Sequence, residues 1–117
     1  MGRTWHTVAS SGELPGDGSG LCVELDGRRI ALFAVDGAPR AIDDVCPHEG
    51  ASLSLGVTLE GEVTCPWHGW HFELEGGRNT DGLDEAVEVY PCRVRSDGRI
   101  EVGLPDADRS TPGAGVV

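Results

Sequence analysis

The sequence has no long hydrophobic segment, and this absence excludes a membrane-spanning helix. The longest uninterrupted apolar run, from Ile30 to Val35, has six residues, whereas a helix that spans a membrane needs about 20. The first six residues contain neither the apolar stretch of a secretory signal peptide nor a twin arginine. We therefore expect a cytoplasmic protein that has no membrane partner.

Positive charge is scarce, which excludes the partners that require it. The 117 residues include 20 acids and 9 bases, so the net charge is −11. Nucleic acids and anionic membranes bind basic surfaces, and neither is expected as a partner. Residues 43–88 contain eleven acids and one base, a net charge of −10. This stretch is either a solvated acidic face or a face that docks on basic proteins, in which case added salt weakens docking.

Helical periodicity is also missing, because no stretch repeats apolar residues at three- and four-residue spacing over about ten positions. Short alternating runs are separated instead by Asp26-Gly27, Asp36-Gly37 and Asp97-Gly98. Asp-Gly pairs favour type I′ hairpin turns, since both residues tolerate a positive φ. The predicted strands are residues 21–25, 29–35, 39–42, 57–59, 62–64, 71–74, 92–95 and 99–104. These patterns predict an all-β fold, an antiparallel sandwich or a small barrel.

A chain of this length buries one modest core, so we expect one domain over residues 1–104. Between Val45 and Gly77, glycines and prolines mark two loops among short strands, which is typical of loops that carry a functional site on a β framework. Residues 105–117 are rich in Pro, Gly, Ser, Asp and Ala, and this composition predicts a flexible tail.

The four cysteines fall into two classes. Cys22 and Cys92 lie in alternating, strand-like stretches without a nearby histidine, and both are predicted to be buried as small hydrophobic residues. The other two form Cys46-Pro47-His48 and, after sixteen residues, Cys65-Pro66-Trp67-His68. Two thiolates with two imidazoles suit a zinc ion or an iron–sulfur cluster in which two histidines replace two cysteines on one iron. The residue types alone leave both alternatives open.

The flanks of these pairs resemble a known family. Cys-x-His, a sixteen-residue gap and Cys-x-x-His form a pattern similar to the Rieske [2Fe–2S] signature, here within CPHEGA at residues 46–51 and CPWHGWHF at residues 65–72. Both stretches are similar to those of Rieske-type ferredoxins, the electron carriers of bacterial ring-hydroxylating oxygenase systems. The resemblance covers about residues 4–104. It implies a Rieske-like antiparallel fold with a cluster-binding subdomain near residues 43–75, and one [2Fe–2S] cluster per chain.

The same resemblance implies roles for individual residues. Cys46 and Cys65 would bind the buried iron, and His48 and His68 would bind the outer iron. Fewer hydrogen-bond donors to sulfur stabilise the reduced cluster less, so the reduction potential is lower. The stretch after His68 lacks the hydroxyl side chains of quinol-oxidising Rieske proteins, which favours a low potential and the ferredoxin branch.

Two positions distinguish this chain from quinol-oxidising Rieske proteins, which carry an additional disulfide between the loops. Ala51 and Trp67 stand where those cysteines would be. Ferredoxin-type domains also have a proline-containing third loop that shields the cluster, whereas Asn79 to Val87 contains no proline.

Three functions follow as hypotheses. The first is a monomeric one-electron carrier with no substrate of its own, between an NAD(P)H-dependent flavin reductase and a terminal oxygenase of the aromatic-ring dioxygenase type. The second is a small subunit of a multisubunit enzyme such as an NAD(P)H nitrite reductase, whose small subunit resembles Rieske ferredoxins. The third is a non-redox Cys₂His₂ zinc module, which would be colourless.

Overall fold

The computed structural model describes residues 3–16, 18–47, 50–67 and 69–105. These residues form ten β-strands: β1 (Arg3–Ser10), β2 (Gly20–Leu25), β3 (Arg28–Val35), β4 (Ala38–Asp43), β5 (Val57–Leu59), β6 (Glu62–Thr64), β7 (His71–Glu73), β8 (Val89–Tyr90), β9 (Cys92–Val94) and β10 (Arg99–Pro105). Two short 3-10 helices complete them, at Ser11–Glu13 and Leu53–Leu55. The predicted all-β class is confirmed, and the eight predicted strands are present, while β1 and β8 had not been predicted.

The strands form three antiparallel sheets. Two larger sheets, in the orders β1-β10-β9 and β2-β3-β4-β8, make up what we call the framework. The third, β5-β6-β7, is the small sheet. No helix in the described part of the chain is long and apolar enough to cross a membrane.

Strand β3 connects the two parts of the molecule because it is buried on both faces, as its continuous apolar run requires. Ile30 and Leu32 face the core between the two framework sheets, which also contains Val102. Ala31 and Phe33 point the other way, into a second core beneath the small sheet. The small sheet therefore lies on the outer face of the framework. Among the described residues, β3 and β4 both contribute side chains to each of the two cores, with Ala41 of β4 in one and Ile42 in the other.

Two of the three Asp-Gly predictions are confirmed. Asp26 and Asp36 adopt φ values of 50° and 53°, each followed by a glycine at 81°. The pair Asp97-Gly98 does not form such a turn, because four residues separate β9 from β10 and only Gly98 has a positive φ, at 90°. A type I′-like turn occurs instead at Glu60-Gly61, where the φ values are 54° and 81°. The Asp-Gly pattern did not predict this turn because its first residue is a glutamate.

The prediction that Cys22 is buried is wrong. Alternation along β2 directs Leu21 and Val23 toward the framework core and leaves Cys22 on the opposite face, exposed on an edge strand. Cys92 is partly buried against the framework core, and this burial raises the pKa of its thiol to about 11.

The last strand is one residue longer than predicted. Pro105 is part of β10 and pairs with Arg3. β10 buries Ile100, Val102 and Leu104. The remainder of the predicted tail, residues 106–117, lies outside the described residues.

Candidate metal centre

The first cysteine loop, residues 46–51, follows β4 and is closed by its own backbone. The Cys46 N–H donates to the Ala51 carbonyl at 2.9 Å, and the Gly50 N–H donates to the Cys46 carbonyl at 2.9 Å. Gly50 adopts a φ of 77°, which a residue with a side chain rarely tolerates. The cysteine is thus held at the base of a tight turn, with 1% of its surface exposed.

The second cysteine loop, residues 65–70, repeats this arrangement after β6. The Cys65 N–H donates to the Trp70 carbonyl at 2.7 Å, and the Gly69 N–H donates to the Cys65 carbonyl at 3.1 Å. Gly69 also has a φ of 77°. Cys65 is 2% exposed. The two loops therefore place their first residue, a cysteine, in equivalent buried positions.

Both cysteines belong to the core beneath the small sheet, together with Leu53, Val63 and Phe72. The structure thus brings the two predicted thiol ligands into one apolar cluster, as a shared metal centre requires. The predicted imidazole ligands, His48 and His68, lie outside the described residues. The two predicted ligands that the structure describes, Cys46 and Cys65, fit a thiolate-bound centre. Both cysteines are buried, and backbone hydrogen bonds hold each of their loops in place.

A buried aspartate anchors the first loop. The Asp44 side chain is fully buried and accepts hydrogen bonds from the Arg29 Nη2 at 2.8 Å, the Ser52 hydroxyl, and the Ser54 backbone N–H at 2.7 Å. Burial acts to raise the pKa of Asp44. The donors Ser52 and Ser54, with the guanidinium of Arg29, outweigh that effect and hold its pKa below the ordinary value. One carboxylate therefore joins the entry of the first loop to its exit. No sequence pattern predicted this anchor, although its parts are an acid two residues before Cys46 and a Ser-x-Ser after the loop.

The second loop is anchored from a later part of the chain. The Asp81 carboxylate accepts from the His71 backbone N–H at 2.7 Å and lies 2.9 Å from the Nδ1 atom of the same histidine. His71 is the first residue of β7 and directly follows the loop. The His71 ring is partly exposed.

The two tryptophans of the second loop have different surroundings. Trp70 packs against the core that holds both cysteines, and its ring centroid lies 6.4 Å from that of Phe72. Trp67 is 62% exposed. Trp70 is therefore part of the apolar core around the two cysteines, and Trp67 lies on the surface.

Comparison with known proteins agrees with this geometry. The family model of the Rieske [2Fe–2S] domain matches residues 4–91. A chlorophyllide a oxygenase of Chlamydomonas reinhardtii is 41% identical over 86% of this chain, but the chain spans only 17–28% of the lengths of this and three other relatives, all of which are larger proteins. The ferredoxin component of a naphthalene 1,2-dioxygenase/salicylate 5-hydroxylase system from Ralstonia sp is 29% identical over 82% of this chain and 92% of its own length.

A solved structure of similar size resembles the fold closely. A chain described as the small subunit of an NADH-dependent nitrite reductase from Mycobacterium tuberculosis superposes with a TM-score of 0.81. It has 34% sequence identity, and the match covers 88% of this chain and 96% of that one.

Proposed function

Because the chain belongs to the Rieske [2Fe–2S] domain family, whose cofactor is a Rieske [2Fe–2S] cluster, we propose that it is a one-electron carrier. In this role it takes electrons from an NAD(P)H-dependent flavin reductase and passes them to a terminal oxygenase. It acts in the cytoplasm as a monomer and has no substrate of its own. The observation that carries the proposal is the pair of equivalent loops with buried cysteines, in a chain that matches nearly the full length of a ferredoxin component.

The proposed ligands are Cys46 and Cys65 on the inner iron, with His48 and His68 on the outer iron. Burial of both thiols in an apolar core supports the inner position. When bound, such a cluster accepts and releases one electron. Replacing two thiolates by neutral imidazoles makes reduction easier, so Rieske centres have potentials of about −150 to +300 mV, against roughly −400 mV for plant-type ferredoxins.

The surroundings of the loops favour the low end of that range, because hydroxyl donors to sulfur raise the potential of a cluster. Tyr90, the one tyrosine of the chain, lies in the framework core rather than beside the cysteines. The Ser52 hydroxyl bonds to Asp44, and the Ser54 hydroxyl lies 3.1 Å from that of Ser52. These hydroxyls are already engaged with other partners.

An acidic docking face is also part of the proposal. Two adjoining clefts of about 430 and 350 Å³ flank the Glu60-Gly61 turn where it meets the turn between β3 and β4. Five acids and one base line the clefts: Asp36, Glu60, Glu62, Glu73, Glu75 and Arg40. A basic redox partner would be attracted to this side, and the attraction would weaken with ionic strength. If the rate of electron transfer to the cognate oxygenase did not change with salt, the acidic face would have no such role.

Replacement of a proposed ligand tests the centre itself. We expect His68→Ala to lose the visible absorption and the low-temperature electron paramagnetic resonance (EPR) signal of a Rieske cluster, because the outer iron would lose a ligand. His6→Ala is the matched control, since His6 lies on β1 in the framework. A normal cluster spectrum in His68→Ala would refute the ligand assignment. A colourless wild-type protein that contains zinc would refute the cluster.

The likeness to a nitrite reductase small subunit favours a second candidate function, that of a permanently bound subunit. Electron-transfer complexes that form transiently have small interfaces, whereas permanent complexes bury larger and more apolar surfaces. A carrier should purify alone and mediate reductase-dependent reduction of cytochrome c. A subunit should purify with a large enzyme and mediate poorly without it.

A further inference from the structure

One peptide group links the second cysteine to an aspartate that lies sixteen residues further along the chain. The carbonyl of Trp70 accepts the Cys65 N–H at 2.7 Å. The N–H of the same peptide group, which belongs to His71, donates to the Asp81 Oδ2 atom at 2.7 Å. Hydrogen bonds in such a chain polarise one another, so a carboxylate at one end strengthens the bond at the other.

The Asp81 carboxylate is held in this position by more than one contact. Its second oxygen, Oδ1, lies 2.9 Å from the His71 Nδ1 atom. Its own backbone N–H donates to the Asn79 side-chain oxygen at 2.8 Å, and that oxygen also accepts the Leu83 N–H at 3.1 Å. The backbone and ring of His71 hold the pKa of Asp81 below its ordinary value, so the group is a carboxylate at neutral pH.

The segment that carries Asp81 is attached to the small sheet next to the second loop. The Thr80 N–H donates to the His71 carbonyl at 3.0 Å, and Asn79 forms a bridge with Phe72. At its far end, Val87 enters the core that contains both cysteines. Backbone pairing therefore holds the segment of Asp81 next to the second loop, so its short side chain is already close to the His71 N–H.

We propose that Asp81 is a positioning residue for the cluster: through the Trp70–His71 peptide it fixes the Cys65 backbone and so sets the geometry of the second loop around its thiolate. This inference rests on the proposed ligand role of Cys65. A simple surface ion pair between Asp81 and the His71 ring would contribute little. Asp81 differs from a residue in such an ion pair because it also accepts the His71 backbone N–H. The carbonyl of the same peptide group accepts the Cys65 N–H.

Asp84→Asn provides a control that separates charge from hydrogen bonding. Asp84 lies on the same segment and is exposed, and among the described residues it has no hydrogen bond or ion pair. Asp84→Asn removes the same negative charge as Asp81→Asn without removing an anchor. His71→Gln is a second control, because it removes the ring contact and leaves the backbone donor in place.

The experiment compares cluster-loaded wild type, Asp81→Ala, Asp81→Asn, Asp84→Asn and His71→Gln. Hydrogen exchange of the Cys65 and His71 amides is measured by mass spectrometry with fragmentation, and the reduction potential and EPR spectrum are recorded for each protein. Loss of a hydrogen bond of ordinary strength corresponds to about tenfold faster exchange. We expect at least that change at both amides in Asp81→Ala, an altered EPR spectrum and a shift of potential larger than in Asp84→Asn. Asp81→Asn keeps one acceptor oxygen and should be intermediate, and His71→Gln should leave the Cys65 amide unchanged.

Equal exchange at Cys65 and equal potentials in Asp81→Ala and Asp84→Asn would overturn the inference. Faster exchange confined to residues 79–87, with Cys65 unaffected, would also overturn it, since Asp81 would then anchor only its own segment. If Asp81→Ala fails to load a cluster while Asp84→Asn loads normally, the inference is supported. Failure of the ligand proposal would be recognised separately, because Cys65→Ser would then retain the wild-type cluster spectrum.

Discussion

The two cysteine loops have the same backbone geometry but are anchored in different ways. In each, the cysteine N–H is bonded to the carbonyl five residues later, and a glycine with a φ of 77° stands at the fifth position. The first loop is anchored by Asp44, which is fully buried at the junction with the framework. The second is anchored by Asp81, which is partly exposed on a later segment.

Because of this difference, loss of the two anchors should have different consequences. The anchor of the first loop is part of the folded core, so its loss should reduce global stability. The anchor of the second loop lies at the surface, so its loss should alter the local environment of Cys65 with little effect on global stability. Of two loops with equivalent backbones, one can therefore be held in place by a residue of the folded core and the other by a residue at the surface.

The largest expected effect is on the buried anchor. Asp44→Ala leaves the Ser54 N–H and the Ser52 hydroxyl without their acceptor, and it should lower the free energy of unfolding by about 3 kcal/mol. Asp81→Ala, which removes a partly exposed carboxylate, should lower it by less than about 1 kcal/mol. Chemical denaturation of both apo variants measures the difference. Equal losses would mean that the two loops are anchored in the same way.

The next effect concerns Gly56, where the segment that follows the first loop lies against the end of β6, just before the second loop. Gly56 follows the first loop, and a Cβ atom there would lie 2.0 Å from the carbonyl oxygen of Thr64, the residue before Cys65. Gly56→Ala should therefore push this segment away from the end of β6 and cost about 2 kcal/mol or more. A Cβ atom at Gly50 or Gly69 would meet no atom of the described residues within 4 Å, so Gly50→Ala and Gly69→Ala should each cost about 1 kcal/mol through backbone strain.

Thermal unfolding of the three glycine variants measures these losses of stability. The equivalence of the loops predicts matching losses for Gly50→Ala and Gly69→Ala. Unequal losses at these two positions would contradict the equivalence of the loops. A tolerated Gly56→Ala would contradict the close contact between Gly56 and Thr64.

A smaller effect distinguishes the two cysteines outside the loops. At pH 8 iodoacetamide should alkylate exposed Cys22 and leave Cys92 unmodified, because burial raises the pKa of the Cys92 thiol to about 11. Since the neutral thiol is the buried form, the stability that it contributes is complete below its ordinary pKa of 9.0 and is lost as the pH rises through about 11. Labelling of Cys92 should begin only in that alkaline range.

Mass spectrometry after alkylation locates each label, and Cys22→Ser serves as the control that should abolish labelling at pH 8. Comparable labelling of Cys92 and Cys22 at pH 8 would contradict the burial of Cys92.

The sequence predicted the elements whose determinants are local. Asp-Gly pairs placed two hairpins, alternation placed eight of the strands, and the Cys–His pattern indicated the family. It could not predict that Cys22 is exposed, because which face of an edge strand is covered depends on where the small sheet ends. It also missed the anchors Asp44 and Asp81, since their bonds to Ser54 and His71 join residues ten positions apart. Contacts of this kind are set by the loop path and leave no periodic pattern in the sequence.

The most direct test of the account is voltammetry of the purified protein from pH 6 to pH 10. A low-potential Rieske centre in an electron carrier should give a reversible one-electron wave near the low end of the Rieske range, about −150 mV, that does not change through neutral pH. A high potential that falls with pH near 7 would contradict the ferredoxin assignment and indicate a proton-coupled role. The absence of any wave would contradict the redox function itself.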